Sequence, residues 1–324
     1  MGSAATWALT PNLDLTRDAL ASSTLNHGLK VLGDKWTVAV LMGAFTGVQR
    51  FDDWQLRLGI PRPTLAKRLK MLVTLGLLRQ RVYQQRPERL GYHLTQAGLK
   101  LYDHVLMIWV WEKRWGIRQA ALPESLLHRT CAHTFVPVLA CSNCGGKTGM
   151  KDLCFTLKVN QSLLTQTAIA GRASRLAALD ATGTGLGLRV DRWSLMIVSA
   201  VVLSCHYFDQ LRHVLGIASS VLSRRLAGMI DSGMLLSQPT PIDARRNVYR
   251  LTPASRDLFG YLVCLATWAS RDFLHQPSSI LPTHRACGHA FVPQVACSAC
   301  GDAVKPWEVG FYSTVPEVPA TLTA

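Results

Sequence analysis

The feature that most constrains this 324-residue chain is that it contains itself twice. Sliding the sequence along itself by 157 positions aligns Trp36 with Trp193, Phe51-Asp52 with Phe208-Asp209, and Leu58-Gly59-Ile60 with Leu215-Gly216-Ile217. The same offset pairs Leu65, Arg68, Leu69, Gly76 and Leu78 with Leu222, Arg225, Leu226, Gly233 and Leu235, then Tyr92, Leu94-Thr95 and Trp111 with Tyr249, Leu251-Thr252 and Trp268. One deletion later the offset is 156, and His128, Cys131, His133, Phe135-Val136-Pro137, Cys141, Cys144 and Gly145 fall on His284, Cys287, His289, Phe291-Val292-Pro293, Cys297, Cys300 and Gly301. Self-similarity at one long period marks a duplicated folding unit. Whatever fold serves the first half must therefore serve the second.

Within the first unit, Thr37 to Phe45 reads as an apolar helix and Phe51 to Leu58 as a second, short one ended by Gly59, the residue type that closes helices in the left-handed region. A third helix follows at once: Pro61 and Pro63 suit a helix start, and Leu65, Leu69 and Leu72 make its buried stripe. Arg62, Lys67 and Lys70 lie opposite that stripe, with Ala66 small enough for close approach, as a helix entering a major groove requires. After Gly76, the segment Arg79 to Tyr83, a polar turn through Arg86-Pro87-Glu88-Arg89, and Tyr92-His93-Leu94 alternate as a hairpin does, giving a basic wing for the flanking backbone. A helix from Thr95 through Trp115 is expected to close the unit, its large aromatics suited to packing or dimerisation.

Leu32-Gly33-Asp34-Lys35-Trp36, Arg50-Phe51, Leu65-x2-Arg68-Leu69, Gly76-Leu77-Leu78 and Tyr92-x-Leu94-Thr95-x2-Gly98 together resemble the HxlR family over about residues 20–115, and more loosely over 188–273. The resemblance implies a bacterial winged-helix transcription regulator, of a kind usually built as a short single-unit homodimer on inverted-repeat operators. It also implies that redox-sensing members carry a cysteine just before the first apolar helix. Ser23 and Asp180 hold that place here, which argues against that thiol switch. The second unit departs from the pattern, with Val190-Asp191-Arg192-Trp193 for Gly-Asp-Lys-Trp and Ser255 where Gly98 stands. Its DNA-facing positions become Ser219, Ser220, Ser223 and Arg224. Net charge over 208–250 is six basic minus three acidic, +3, against nine minus three, +6, over 51–93. The second unit should bind DNA more weakly, or read another sequence.

The expected DNA-binding residues are thus Arg62, Thr64, Lys67, Arg68, Lys70, Arg81, Arg86 and Arg89 in the first unit, and Ser219, Ser220, Ser223, Arg224, Arg225, Arg245 and Arg246 in the second. For Arg68 and Arg225, which recur in both units, a phosphate contact and an internal salt bridge stand as equal alternatives.

His128-x2-Cys131 with Cys141-x2-Cys144, and His284-x2-Cys287 with Cys297-x2-Cys300, each read as two knuckles of one tetrahedral zinc site, three thiolates and one imidazole with no open position. Two structural Zn²⁺ ions are expected, one per module, with His128 and His284 preferred to the recurring His133 and His289 on spacing. Some relatives of the HxlR type carry similar tails. A closed site leaves no room for substrate and no acidic orienter recurs nearby, so a catalytic Cys-His pair is disfavoured and the chain is read as a non-enzyme. Cys205 and Cys264 sit in apolar helical surroundings and read as buried structural residues.

A net charge of +15 favours a polyanionic partner through counterion release. The longest apolar run, Leu195 to Leu203, is far shorter than the roughly 20 residues of a spanning helix, and nothing resembles a signal peptide, so a cytoplasmic, nucleoid-associated bacterial protein without a membrane partner is expected. The expected fold is α+β, mainly α: a winged helix-turn-helix over 1–120 and a zinc-ribbon-like β module over 121–157, a helical and Gly-rich linker over 158–188 that includes Gly183 to Gly187, a second winged helix-turn-helix over 189–276, and a second module and tail over 277–324. Double-stranded DNA is the expected partner. An intrachain pseudo-dimer and a two-chain, four-wing homodimer both satisfy the pattern, and a small-molecule effector is left unassigned. The rival reading is a non-catalytic protein-interaction scaffold, separable because a scaffold shows little salt dependence in nucleic-acid binding.

Overall fold

The structure, a computed structural model, describes residues 11–116, 122–166, 191–240, 243 and 245–312. The expected linker glycines lie outside the described residues. The first unit runs α1 (Leu13–Ala21), α2 (Thr24–Leu32), α3 (Lys35–Phe45), α4 (Phe51–Leu58), α5 (Arg62–Thr74), β1 (Leu78–Gln85), β2 (Glu88–Leu94), α6 (Gln96–Leu99) and α7 (Tyr102–Trp115). Strands β3 (Ser125–His128), β4 (His133–Phe135), β5 (Pro137–Cys141) and β6 (Leu153–Leu157) complete it. The second unit repeats the order as α8 (Arg192–Val202), α9 (Phe208–Leu215), α10 (Ser219–Asp231), β7 (Leu235–Pro239), β8 (Asn247–Leu251), α11 (Pro253–Asp257) and α12 (Phe259–Trp268), then β9 (Ile280–His284), β10 (Pro293–Cys297) and β11 (Val309–Tyr312).

Local chemistry sets these boundaries. Asp34 and Asp191 cap α3 and α8 through their carboxylates, and Gly59 and Gly216 end α4 and α9 at φ 59° and 61°, where a Cβ would clash with its own carbonyl. Leu65, Leu69 and Leu72 of α5 are fully buried, as are Leu222 and Met229 of α10. Trp54 is buried with its Nε1–H donated to the Val40 carbonyl at 3.2 Å. Gly43 makes room for it, since a Cβ there would lie 2.4 Å from that nitrogen. In the second unit Ala200 and Leu211 stand at these two positions, a compensating exchange of volume.

The helix expected over Thr95–Trp115 is in fact two. Thr95 caps α6 while its hydroxyl also reaches the Gly76 carbonyl at 2.5 Å, and Gly98 packs directly on the Leu77 carbonyl. These ties hold α6 against the strand and off the axis of α7.

The two units are packed against one another within the chain. Helix α12 lies on α7 and on α2. Trp111 donates to the Ala254 carbonyl at 2.8 Å, Trp115 to Asp257 at 2.8 Å, and Arg192 to Asn26 at 2.8 Å. His104 packs on Tyr261, its counterpart at offset 157, with ring centroids 4.2 Å apart and the rings tilted by 32°.

The strands after α7 and α12 correct the expectation of two separate ribbons. Apart from β4 on β3, every strand pairing among them joins the two halves: β6 with β9, β11 with β3, and β5 with β10, all antiparallel. In the last pair Leu139 faces Val295, and 295 − 139 is 156, the offset of the repeat itself. The local two-fold therefore passes between these two residues, and the strands interlock around it.

Candidate nucleic-acid interface and Cys-His clusters

Each half presents a helix-turn-helix and a hairpin wing. On α5, Lys67, Lys70 and Ala66 are exposed, and neither lysine forms an ion pair among the described residues. Thr64 is half-buried beside them. The wing pairs Leu78 with Leu94 through Gln85 with Glu88, carrying Arg81, Arg86 and Arg89 exposed along it. Arg62 is exposed at the start of α5, where it donates to Gln55 at 2.7 Å, pairs with Asp52 at 3.2 Å and lies over the Phe51 ring at 5.0 Å. In the second half Ser219, Ser220, Ser223 and Arg224 are exposed on α10, and Arg245 and Arg246 on the wing. Arg246 is held at 3.2 Å from Asp209 and 4.1 Å over the Tyr207 ring.

Arg68 and Arg225 go the other way. Arg68 Nε lies 3.2 Å from Asp34 and Arg225 Nη1 2.6 Å from Asp191, with side-chain exposures of 25% and 13%. Of the two alternatives for these arginines, the structure shows the internal salt bridge. The pair recurs because each recognition helix is tied by it to the capping carboxylate of the helix before the turn. Burial of Asp191 raises its carboxyl above the usual range even though Arg225 pulls against the shift.

The eight expected metal ligands do converge, but not within modules. One group is His128, Cys131, Cys297 and Cys300, and the other Cys141, Cys144, His284 and Cys287, the ligand atoms of each lying within 4.8 Å of one another. The closed sites expected from consecutive knuckles are thereby corrected: each half gives one knuckle to each group. The interlocked sheets are the physical reason, since β5 and β10 run antiparallel across the two-fold and carry each C-terminal Cys knuckle to the far half's His-Cys knuckle. His128 Nδ1 lies 3.4 Å from both Cys131 and Cys300, Cys131 is 3.9 Å from Cys297, and His284 Nδ1 lies 3.4 Å and 3.3 Å from Cys144 and Cys287. Tetrahedral zinc with bonds of about 2.3 Å to sulfur and 2.0 Å to nitrogen sets ligand separations of roughly 3.5–3.8 Å, so the donor sets fit that ion.

All four knuckles share one turn. The N–H after the second ligand donates to the carbonyl of the first at 2.8–2.9 Å, with φ of 58° at Ala132, 71° at Gly145, 70° at Gly288 and 84° at Gly301. Desolvation raises the Cys131 thiol, but the His133 N–H, the His133 ring and the His128 ring outweigh it and draw it down to about 6. At Cys287 the His289 N–H leads the same descent, to about 6. His133 and His289 thus stand beside the groups rather than in them; His133 Nδ1 lies 2.6 Å from the Cys131 carbonyl. His128 Nε2 faces Glu308 at 3.7 Å and His284 Nε2 faces Thr148 at 3.5 Å.

Cys205 and Cys264 are buried, and burial pushes the Cys205 thiol up to about 11. Ser23 caps α2 and is buried; Asp180 lies outside the described residues. Sequence reasoning missed the cross-unit contact of Arg192 with Asn26, for which the recurring Asp-Lys/Arg-Trp segment was the available signal. Among the described residues no helix is long and apolar enough to cross a membrane.

Comparison with known proteins agrees with this geometry. An uncharacterised HTH-type transcriptional regulator of Mycobacterium tuberculosis is 40% identical over 122 residues, 38% of this chain and 77% of the relative. Another, from Bacillus subtilis, is 26% identical over 107 residues, 33% of this chain and 84% of the relative. A third, from Synechocystis, is 33% identical over 78 residues, 24% of this chain and 58% of the relative. The profile of the HxlR-like helix-turn-helix family matches twice, over residues 31–120 and 189–277, together more than half of the chain, which therefore belongs to that family.

Proposed function

We propose that this chain is a DNA-binding transcription regulator that reads two unlike half-sites with one rigid body. The observation that carries the reading is the pair of helix-turn-helix units packed face to face through α7, α12 and α2, each presenting an exposed helix and wing. Lys67, Lys70 and Thr64 are the groove-facing residues of α5, with Arg81, Arg86 and Arg89 on the wing for phosphate. Arg62 tops the helix from its place on Phe51, and Arg68 and Arg225 serve by holding the helices. In the second half Ser219, Ser220, Ser223 and Arg224 offer fewer charges, so their share of the affinity is smaller and their contacts are hydrogen bonds to base edges or phosphates.

The two Cys-His groups hold zinc in this reading. Donor chemistry and spacing support it, and the ions supply cross-links with no open position for chemistry. Because each group takes a knuckle from both halves, the metal fixes the spacing of the two recognition helices.

Duplexes selected from a random library by the native protein provide the test. Lys67→Glu with Lys70→Glu should abolish their mobility shift, whereas Ser220→Glu with Arg224→Gln should weaken it less, and affinity should fall steeply with salt. Unchanged affinity in the first variant, or a flat salt response, would favour the protein-interaction scaffold instead.

A further inference from the structure

A cavity of about 600 Å³ lies where the halves meet, between α2 and β6 of the first and α8, α12 and β9 of the second, walled by Leu25, Val202, Leu262, Ala266, Phe155 and Phe291. Its volume is in the range of small-molecule sites. At offset 157, Ala266 stands where the first unit has Trp109, Val202 where it has Phe45, and Ser199 where it has Met42. Trp109 is buried, with its Nε1–H donated to the Pro123 carbonyl at 3.2 Å, and Phe45 packs on Tyr102 at 5.5 Å. At these three positions the second unit thus lines the cavity with smaller side chains than the first unit carries.

The charges on the lining are one-sided. Lys158 and Arg271 line the cavity and are exposed, which places them at its rim, and no aspartate or glutamate lines it. Neither cation forms an ion pair among the described residues. Hydroxyls of Ser270, Thr156 and Thr283 add polar groups to an otherwise apolar wall. We propose that this cavity binds a small apolar organic acid, its hydrocarbon body against Phe155, Leu262 and Phe291 and its carboxylate between Lys158 and Arg271. The site lies at the far end of α8 from Asp191, the residue that holds Arg225 of the second recognition helix, so an occupant touches the element on which that helix is mounted.

Calorimetric titration of the full chain, without DNA, tests this with 2-naphthoate and decanoate as probes. At least one should bind saturably at one site per chain, and 2-naphthamide, the neutral analogue, should bind at least tenfold more weakly than naphthoate. Ala266→Trp, which restores the first unit's side chain, should lower probe affinity at least tenfold in a variant that melts cooperatively; Ser199→Met is the second filling variant should that one fail to fold. Lys158→Gln with Arg271→Gln should bring naphthoate down to the level of the amide. Absence of saturable binding by both acids, equal binding of amide and acid, or undiminished binding in a folded filling variant would each overturn the proposal.

Discussion

The sharpest consequence of the interlocked halves is that two double substitutions, equal in chemistry, must differ in metal content. Cys131→Ser with Cys300→Ser removes two ligands from one group and leaves the other whole. Cys131→Ser with Cys144→Ser removes one ligand from each. A four-ligand structural zinc site is worth about 13 kcal/mol in apparent binding. If the four ligands share it evenly, one loss removes roughly 3 kcal/mol, about a hundredfold in affinity. Dialysis against a chelator poised tenfold below the native affinity then strips three-ligand sites and spares intact ones. Elemental analysis should find two zinc per native chain, one in the Cys131/Cys300 variant and none in the Cys131/Cys144 variant. Were each site built from consecutive knuckles, the last two values would exchange, and that exchange would refute the crossed pairing. Zinc below one per native chain would remove the metal itself.

Three further outcomes follow from single contacts. Arg225→Ala leaves Asp191 buried without its partner and should cost about 3 kcal/mol in urea unfolding, more than Arg68→Ala, whose pair is longer and more exposed. Ala132→Gly removes the one non-glycine residue among the four knuckle turns at positive φ and should stabilise the metal-loaded protein by about 1 kcal/mol in the same assay. His104 and Asp103 oppose one another with pH. Burial depresses the folded His104 imidazole to about 4 and raises the folded Asp103 carboxyl to about 6. Between pH 7.5 and 5, His104 withdraws roughly 2 kcal/mol as the unfolded imidazole protonates, while Asp103 returns about 1.4 kcal/mol as the folded carboxyl does. His104→Phe should therefore gain stability on acidification and Asp103→Asn should lose more than the native chain, a pattern that parallel urea melts at the two pH values would contradict if both slopes were unchanged.

Much of this molecule was legible in its residues because the informative signals are local. Gly59 and Gly216 need no tertiary context to end a helix, the leucine stripe of α5 has a fixed period, and a knuckle is complete in four residues. The pairing of knuckles was not legible, for the same reason. The sequence spacing of Cys131 and Cys141 constrains neither where β5 runs nor what it meets, and four near-identical knuckles can be joined in more than one way. Arg68 and Arg225 show the limit from another side: charge, exposure expected of a polar helix face and recurrence all suited DNA, yet recurrence also follows from a conserved need of the fold within both copies, a counter-ion for the capping aspartate. The cavity required knowing that Trp109 points inward before Ala266 could mean anything.

Duplication within one chain changes what a two-fold regulator can do. A homodimer must present the same recognition helix twice, so its two half-sites are matched by symmetry. Here the positions on the axis keep the symmetry: Leu139 still faces Val295, His104 still meets its counterpart Tyr261, and both Cys-His groups take the same ligand types. Away from the axis each copy is free to diverge without unbalancing the other, and among the places where it has done so are the exposed face of α10 and the α8 and α12 side chains on the cavity wall. Both lie on the second unit, at either end of the Asp191-capped helix α8. The first unit keeps the stronger charge, which suits an anchor on DNA; the second keeps the weaker helix and the smaller side chains on the cavity wall, which suits the half whose grip is adjusted.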